Sequence, residues 1–265
     1  MKILIKIGGT LVDNEASRQS IAAQLCEIGR RHHVVAVHGG GKQLTGFLEA
    51  RGIASRFVRG LRVSDEGVVD AVTKVIAGSV NKHVVSAIIR AGTPAVGLSG
   101  VDGSLTLAAQ LDPVLGWVGK PLTSDGRILD VLLAAGYLPV VACLAGDREG
   151  NIYNVNADQM AASCAIGWRA ERLIFLTDVE GVKDAHGHLV PQLTCAGLRD
   201  LIHSGVAHGG MQAKLEAAAA ALAAGLPEAI IAGGHQADIC LRLLEGEPAG
   251  TCISAGNAAA EVSGS

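Results

Sequence analysis

Short apolar runs alternate along this chain with longer segments in which apolar residues recur every three or four positions. A short, unbroken apolar run is typical of a strand that is buried on both faces of a parallel sheet. The longer periodic segments predict amphipathic helices that pack on such a sheet. The pattern predicts strands at 3–7, 34–37, 94–98, 137–142, 172–176 and 228–232, and helices at 14–31, 65–90, 127–135, 157–168, 195–203, 212–224 and 236–244, with one more helix beginning at 42.

Smaller β elements are predicted where apolar and polar residues alternate strictly. The stretch 56–64 alternates around a glycine and suits a hairpin, and 104–111 and 116–120 suit two antiparallel runs outside the main sheet. The last such stretch, 251–254, is expected to close the sheet as a short edge strand.

Glycine-rich turns fall into two sets, one on each side of a boundary near 167–171. Because helices and strands alternate throughout, this arrangement predicts an α/β fold of two lobes that share one sheet. The amino-terminal lobe is expected to cover residues 1–170 and the carboxyl-terminal lobe residues 171–265. The Ala, Gly and Ser-rich tail after 254 is expected to be disordered.

The first apolar run carries a lysine, Lys6, and ends in the glycine pair Gly8 and Gly9. Glycines let the backbone approach a ligand closely and leave N–H groups that can point at an anion. In open α/β sheets, ligands bind at the carboxyl ends of the strands. These residues suggest that Lys6 faces a transferring phosphoryl group, although a lysine that snorkels from the first strand explains this stretch equally well.

A second glycine turn runs from His38 to Gly41 between a strand and a helix, an arrangement that suits phosphate or carboxylate binding. Three known glycine motifs do not fit it. A Walker A loop needs glycine at Ala36 and Ser or Thr at Gln43, and a Rossmann fingerprint needs glycine at Leu44. A lipase-type oxyanion loop needs a G-x-S-x-G elbow, which the chain lacks. We therefore expect His38 to be structural.

Three further stretches carry polar side chains that a site could use. Arg62, in the predicted hairpin, suits a fork that holds a substrate carboxylate, or is simply a solvated arginine of an edge strand. Asn154, Asn156 and Asp158 alternate between a strand and a helix. Asn156 suits an N-cap, and the three together also suit a site lining. Lys214, in the first turn of a predicted helix, opposes the helix dipole, as a lysine held near anions would.

Composition narrows the possible partners. The net charge of −3 gives no sign of a nucleic-acid surface, and no segment has the length and apolarity of a membrane span or a signal peptide. The six cysteines are scattered without C-x-x-C spacing, which argues against a zinc knuckle. In a chain of this size, such cysteines indicate reduced thiols and a cytoplasmic location.

Taken in order and spacing, these stretches resemble the amino acid kinase family over nearly the whole chain, up to about Ser254. The Gly-Leu-Arg and Asn-Val-Asn-Ala-Asp segments are similar to the branch that acts on N-acetylglutamate. The resemblance implies a three-layer αβα sandwich around a mainly parallel central sheet. It rests on 6–9, 38–41, 60–64, 81–82, 154–159, 177–182, 210–214 and 250–251.

The resemblance implies ATP-dependent phosphorylation of the side-chain carboxylate of N-acetyl-L-glutamate, a step of arginine biosynthesis. By this likeness, Lys6 and Lys214 stabilise the transferring phosphoryl group from opposite lobes, and Asp158 holds the two lysines in position. The residues expected to bind the amino-acid substrate are Gly40, Gly41, Arg62 and Asn154.

The same likeness implies a nucleotide pocket in which Mg²⁺ is held mainly by the ATP phosphates, without a metal site built from protein ligands. Gly8 and Gly9 are expected to give backbone donors near the phosphates. His208 departs from the small or acidic residue that relatives often carry there. The residues expected to contact the nucleotide are Gly8, Gly9, Asp178, Val179, Glu180, Gly181, Val182, Lys183, Val206, Ala207 and His208.

The chain begins almost at its first strand, without the additional helix of hexameric, arginine-inhibited relatives, so we expect a homodimer that is insensitive to arginine. Neither nucleic acid nor a membrane is expected as a partner. Two alternatives stay open on the same fold. One is a kinase of another carboxylate, such as carrier-linked aminoadipate or glutamate, and the other is a sensor protein without catalysis.

Overall fold

The computed structural model describes residues 1–255, so the expected disorder of the tail concerns residues that, apart from Ala255, lie outside this description. The strands are β1 (Lys2–Ile7), β2 (His33–His38), β3 (Phe57–Val58), β4 (Leu61–Arg62), β5 (Ala95–Ser99), β6 (Thr106–Gln110), β7 (Val118–Ser124), β8 (Leu138–Ala142), β9 (Leu144–Gly146), β10 (Ile152–Val155), β11 (Arg172–Thr177), β12 (Gln192–Thr194), β13 (Glu228–Gly233) and β14 (Thr251–Ser254). The helices are α1 (Gly9–Asp13), α2 (Glu15–Gly29), α3 (Gly41–Glu49), α4 (Glu66–Val72), α5 (Asn81–Arg90), α6 (Arg127–Ala134), α7 (Ala157–Trp168), α8 (Cys195–His203), α9 (Gly209–Ala223) and α10 (Ile239–Leu244).

One eight-stranded sheet forms the centre of the fold, in the order β12-β14-β13-β11-β1-β2-β8-β5. All neighbouring strands in it are parallel except β13 and β14. The central strand β1 pairs Lys6 with Val37 of β2 and with Phe175 of β11. Residues on both faces of β1 are buried, as expected for a strand with helices on both sides of the sheet. The predicted α/β fold with a mainly parallel sheet is confirmed.

The sheet order also shows how the two parts of the chain are joined. Strands β11 to β14 lie on one side of β1, and β2, β8 and β5 lie on the other side. The chain therefore crosses from one half of the sheet to the other between α7 and β11, close to the boundary that the glycine pattern indicates.

A small closed barrel of β6, β7, β9 and β10 is the second β structure. Strands β6 and β7 are antiparallel, as predicted, and β9 and β10 form a hairpin. The parallel pairing of β10 with β7 places Asn154 opposite Val118. The barrel was not predicted, because its closure joins segments far apart in sequence and alternation reports only local pairing.

Two predicted helix starts were wrong, and one short helix was not predicted. Helix α9 begins at Gly209 rather than at 212, so Lys214 lies in its second turn. Helix α10 begins at Ile239 rather than at 236. The short helix α1 starts directly after Gly8, where a glycine pair predicts a loop.

Two further differences concern long-range or irregular structure. The predicted helix 65–90 is continuous, but its middle, Thr73–Val80, is π-helical, which a regular apolar period does not reveal. Strand β14 is not an edge strand, because β12 pairs with its outer side. Within residues 1–255, no helix is both long and apolar enough to cross a membrane.

Candidate active site

A cavity of about 710 Å³ opens at the carboxyl ends of β1, β2 and β11. This edge of a parallel sheet is where ligands bind in open α/β folds. The cavity brings together residues from widely separated parts of the sequence. Of the predicted site residues, its lining contains Lys6, Gly8, Gly9, Gly40, Gly41, Arg62, Asn154, Asp158, Asp178 and Lys214.

A buried lysine and a partly buried lysine meet one buried aspartate in this cavity. Lys6 Nζ lies 2.8 Å from Oδ1 of Asp158, and Lys214 Nζ lies 3.5 Å from Oδ2 of the same carboxylate. The Lys6 contact is a close charge contact without the alignment of a hydrogen bond. Lys214 Nζ also donates to the carbonyl of Gly210 at 3.2 Å. Two ammonium groups therefore share one carboxylate, and we refer to these three residues as the Lys–Asp–Lys triad.

Local structure places each member of the triad. Lys6 lies near the carboxyl end of β1, the strand at the centre of the sheet. Asp158 lies in the first turn of α7, whose cap is Asn156: its Oδ1 accepts the N–H groups of Asp158 and Gln159. Lys214 projects from the second turn of α9. The predicted N-cap at Asn156 is confirmed, and it fixes the helix start that holds the aspartate.

The electrostatics of the triad favour an anion. With two lysines and one aspartate, its formal charge is positive. Burial lowers the pKa of Lys214, because desolvation disfavours the ammonium form, while the Asp158 carboxylate acts in the opposite direction and Lys6 adds to the lowering. An anionic ligand between the lysines would offset both the desolvation and the repulsion.

The first glycine turn differs from its predicted role in one respect. The N–H of Gly8 donates to the Leu176 carbonyl at 2.9 Å, so it is not free for a phosphate. A Cβ at Gly8 would lie 2.9 Å from that same oxygen, which explains why β1 and β11 need a glycine at this point. Gly9 and Thr10, at the start of α1, also line the cavity. The backbone donors that this turn can offer a phosphate are therefore the N–H groups of Gly9 and Thr10 rather than that of Gly8.

A neutral histidine stabilises the second glycine turn through a hydrogen bond to its backbone. His38 is fully buried, and its Nδ1 donates to the Gly39 carbonyl at 2.8 Å. Its Nε2 then accepts from Asn81 Nδ2, which lies 3.0 Å away. Burial lowers the pKa of His38 to about 4, so the ring is uncharged at neutral pH. This agrees with the predicted structural role of His38.

The π-helical segment packs on the same turn. A Cβ at Gly40 would lie 3.1 Å from Val80 Cγ2 and 3.4 Å from Ile76 Cγ1. The glycine at this position therefore allows close approach between the turn and the helix. Gly41 starts α3, whose first N–H groups have no partners within the helix, as at any helix start.

Arg62 is a buried cation with neutral partners. Its guanidinium donates to the hydroxyls of Ser55 and Thr45, the latter at 2.6 Å, and lies 4.6 Å from the centre of the Phe57 ring. Burial lowers its pKa, and the charge of Glu49 only partly opposes this. An arginine held in this way in a cavity wall lacks a paired carboxylate in the described part of the chain, and a ligand carboxylate would supply one.

Asn154 lies near the end of the barrel strand β10 and lines the same cavity as Arg62 and the triad residue Asp158. Its Nδ2 donates to Oγ of Ser64 at 3.0 Å. The barrel thus supplies one polar side chain to a cavity whose charged residues come from β1, α3, β4, α7, α9 and the turn after β11.

The remaining predicted nucleotide residues lie outside the cavity lining, apart from Asp178. Asp178 follows β11, and its Oδ1 accepts from Thr177 Oγ1 at 3.0 Å. Val182 is buried, and its N–H donates to Thr251 Oγ1 at 2.8 Å. His208 is the N-cap residue of α9, the helix that carries Lys214. The other predicted residues outside the lining are Val179, Glu180, Gly181, Lys183, Val206 and Ala207.

Sequence reasoning missed several lining residues that have no motif of their own. Cys143 lies at the cavity wall beside Lys6 and Asp158, and burial raises the pKa of its thiol to about 12. Thr45 accepts from Arg62 and donates to the Gly41 carbonyl at 2.8 Å. Its position one turn after Gly41 in a predicted helix was a usable signal, whereas nothing in the sequence points to Cys143.

Within residues 1–255, no group of three or more His, Cys, Asp and Glu side chains is arranged to hold a metal ion. The charged lining of the cavity is instead mainly cationic, with Lys6, Lys42, Arg62 and Lys214 against Glu49, Asp158 and Asp178. Such a lining suits an anionic ligand, including one that binds as a complex with a metal cation.

Comparisons with known proteins agree with one another. The model of the amino acid kinase family matches residues 1–233. The acetylglutamate kinase of Solibacter usitatus (strain Ellin6076) is 54% identical over 252 residues, which cover 95% of this chain and 98% of that protein. The acetylglutamate kinase of Endomicrobium trichonymphae is 38% identical over 231 residues, 87% of this chain and 92% of that protein.

A solved structure extends the likeness to three dimensions. The N-acetylglutamate synthase from Neisseria gonorrhoeae, complexed with coenzyme A and N-acetyl-glutamate, matches with a TM-score of 0.84 at 25% sequence identity. The match covers 95% of this chain and 59% of that one.

Proposed function

The chain belongs to the amino acid kinase family, and from this premise we propose that it phosphorylates the side-chain carboxylate of N-acetyl-L-glutamate with ATP, a step of arginine biosynthesis. The products are N-acetyl-L-glutamyl 5-phosphate and ADP. The acetylglutamate kinases to which the chain is similar support the substrate. The observation that carries the chemistry is the convergence of Lys6 and Lys214 on Asp158 inside the cavity.

The reaction brings an anion towards an anion. An oxygen of the substrate carboxylate forms a bond to the γ-phosphorus of ATP, and the bond from that phosphorus to the β,γ-bridging oxygen breaks, so that ADP leaves with the electron pair. The carboxylate is already ionised at neutral pH, so no general base is needed. Catalysis then consists of alignment and neutralisation of charge.

In this proposal Lys6 and Lys214 stabilise the charge that develops on the transferring group and on the leaving oxygen. Asp158 orients the two ammonium groups and reduces their repulsion while the nucleotide is absent. Asp158 therefore has no proton to transfer in this reaction, because the substrate carboxylate is already ionised. The thiol of Cys143, with its pKa raised to about 12, stays protonated and is no nucleophile.

The amino-acid substrate is assigned to the side of the cavity formed by α3, β4 and β10. Arg62 would hold the α-carboxylate, because its buried charge has only neutral partners. The backbone of Gly40 and Gly41 and the side chain of Asn154 would complete the contacts. This placement leaves the side-chain carboxylate of the substrate directed towards the triad.

The nucleotide is assigned to the side formed by the carboxyl-terminal half of the sheet. Gly9 and the turn at Gly8 would lie near the phosphates, and the segments 178–183 and 206–208 would flank the base and ribose. The cationic triad and the start of α1 suit a polyphosphate. When bound, Mg²⁺ would neutralise phosphate charge, and the phosphates would be its main ligands since residues 1–255 offer no three-residue metal cluster.

The two halves of the sheet are assigned different binding functions. We assign substrate binding and dimerisation to residues 1–170 and nucleotide binding to residues 171–265. Two observations support a homodimer through the first part: the helix formed by α4, the π segment and α5 exposes Ile89, which is 54% accessible, and β5 is the outer strand of the sheet. The free thiols of all six cysteines support a cytoplasmic location.

The test is a coupled assay of ADP release with N-acetylglutamate, glutamate and aspartate as acceptors. We expect turnover that depends on the acetylated acid and on Mg²⁺, with little activity on the two free amino acids. Equal rates on all three acceptors would favour a kinase of another carboxylate. Nucleotide binding without turnover on any acceptor would favour a sensor protein.

A further inference from the structure

Ser64 carries a fully buried hydroxyl that connects the Asn154 side chain to the backbone of Arg62, two residues assigned to the amino-acid substrate. Its Oγ donates to the backbone carbonyl of Arg62 at 2.9 Å and accepts from Asn154 Nδ2 at 3.0 Å. The backbone of Ser64 is fixed as well. Its N–H donates to the Leu115 carbonyl at 2.9 Å, and its own carbonyl accepts from Trp117 N–H at 2.6 Å. The hydroxyl therefore has a defined position between strand β4 and the barrel.

The arrangement of protons then determines how the Asn154 amide is oriented. A serine hydroxyl has one proton, and here it is donated to the Arg62 carbonyl. The oxygen can therefore only accept from Asn154, so the NH2 group of the amide faces Ser64. If the amide were flipped, its Oδ1 would face Oγ without a proton between them, so the bond to Ser64 would be lost and two oxygen lone pairs would repel each other.

We propose that Ser64 is a positioning residue that fixes the orientation of the Asn154 amide and thereby the polarity that this wall of the cavity offers to a ligand. The bond to Ser64 uses one N–H of Nδ2, so the carbonyl oxygen and the second N–H of the amide remain for the ligand, each in a fixed position. The wall thus offers one acceptor and one donor at defined places, and a ligand binds best when its own donor meets the carbonyl oxygen. This inference rests on the proposed function, in which the substrate carries an amide N–H.

The first experiment measures kcat and KM of Ser64→Ala for both substrates. We expect a KM for N-acetylglutamate that is about tenfold higher, the effect of one misplaced buried hydrogen bond, with kcat and the KM for ATP within about twofold. A purely structural role would lower the active fraction, and hence kcat, without raising this KM. An unchanged KM for N-acetylglutamate would overturn the proposal.

Ser124→Ala is the matched control. Ser124 lies in the barrel strand β7, and its hydroxyl bonds those of Thr106 and Ser163, both at 2.8 Å. This variant also removes a hydroxyl from a polar network of the barrel, but away from the proposed substrate wall. Its KM for N-acetylglutamate is expected to equal that of the wild type, and a rise equal to that of Ser64→Ala would overturn the specific role of Ser64.

A double-mutant cycle tests whether Ser64 acts through Asn154. In an Asn154→Ala background, the change Ser64→Ala is expected to add less than about twofold to the KM for N-acetylglutamate. The same tenfold effect in both backgrounds would show that Ser64 acts independently of Asn154 and would overturn the proposal.

A readout without substrate separates this inference from the proposed function. The side-chain NH2 signals of Asn154 are identified in a ¹H–¹⁵N spectrum by their loss in Asn154→Ala. We expect two sharp signals in the wild type that shift and broaden in Ser64→Ala, and identical signals in both proteins would overturn the inference. The spectra test the role of Ser64 even if the enzyme does not phosphorylate N-acetylglutamate. A lack of that activity would contradict only the proposed function.

Discussion

Two lysines that share one aspartate cannot both be neutralised within the triad. One carboxylate balances one ammonium group, and burial keeps water from screening the other. The lowered pKa of Lys214 is the direct consequence, because burial and Lys6 both act against its charge. At the scale of single residues, a bound anion therefore neutralises positive charge that the triad itself leaves unpaired.

Loss of either triad lysine should act on the chemical step. We expect Lys6→Ala and Lys214→Ala each to lower kcat by roughly two to three orders of magnitude, because each removes a charge that stabilises the transition state. The measurement is steady-state kinetics with ATP and N-acetylglutamate. Lys74→Ala is the control, since Lys74 forms an exposed ion pair with Asp70. Turnover near the control value in either triad variant would remove that lysine from the chemistry.

Arg62 should act on binding instead. Its replacement by alanine removes a buried guanidinium, so we expect Arg62→Ala to raise the KM for N-acetylglutamate about 100-fold while kcat changes far less. Arg62→Lys should recover only part of the loss, because an ammonium group lacks the planar fork that binds a carboxylate with two bonds. A fall in kcat at unchanged KM would contradict this assignment.

At the scale of elements, the turn between β2 and α3 is a rigid wall rather than a flexible loop. His38 holds the turn through the Gly39 carbonyl, and the π-helical segment 73–80 presses Val80 against Gly40. The geometry of this wall therefore depends on residues that do not line the substrate side at all.

The contact between Gly40 and Val80 can be tested by rescue. A Cβ at Gly40 would lie 3.1 Å from Val80 Cγ2, so Gly40→Ala should push the turn out of place by a few tenths of an ångström and raise the KM for N-acetylglutamate several-fold. Adding Val80→Ala should restore part of the affinity by making room. If the double variant binds no better than Gly40→Ala, displacement by Val80 is not the cause.

The buried His38 makes stability depend on pH. Its pKa is lowered from 6.5 to about 4 in the folded protein, so below pH 6.5 the unfolded chain binds a proton that the folded chain does not. The free energy of unfolding is therefore unaffected by this histidine above pH 6.5, and it decreases as the pH falls from 6.5 towards 4.

Urea unfolding at pH 7.5 and pH 5 measures this effect. The wild type should lose roughly 2 kcal/mol between the two values on account of this histidine. The variant His38→Gln should be less stable at pH 7.5 but should lack this part of the pH dependence. Parallel losses in the two proteins would show that His38 is not the titrating group.

At the scale of the whole molecule, the triad connects parts of the fold that are distant in sequence. Lys6 comes from the central strand, Asp158 from α7 and Lys214 from α9 in the last third of the chain. Asp158 therefore contributes both to the site and to the cohesion between the two halves of the sheet.

Removal of the shared carboxylate should weaken the whole fold. In Asp158→Asn the buried Lys6 and the partly buried Lys214 lose the carboxylate that they share, which costs about 3 kcal/mol and should lower the melting temperature by roughly 10 °C. A non-hydrolysable ATP analogue should raise the melting temperature of the variant more than that of the wild type, because its phosphates replace the lost charge. Asp70→Asn, which breaks an exposed ion pair, should change the melting temperature by no more than about 2 °C.

Local patterns in the sequence were sufficient for most elements. The unbroken apolar run before Lys6 predicted β1, and Asn156 predicted the start of α7, because strand burial and helix capping depend on neighbouring residues. Where the start of α9 was misplaced, the sequence signal was weak, since two glycines precede Met211 and glycine disfavours helix.

By itself, the sequence determined which residues have unusual chemistry for their position: lysines in or beside apolar runs, glycine pairs at strand ends, and an aspartate after a helix cap. Only the tertiary structure decided that Lys6, Asp158 and Lys214 meet, that the Gly8 N–H bonds Leu176 instead of a ligand, and that Ser64 orients Asn154. The physical reason is the distance in sequence between the residues that interact. Burial patterns and caps are set by residues a few positions apart, whereas these contacts depend on strand order and helix packing, which bring distant segments within a few ångströms of each other.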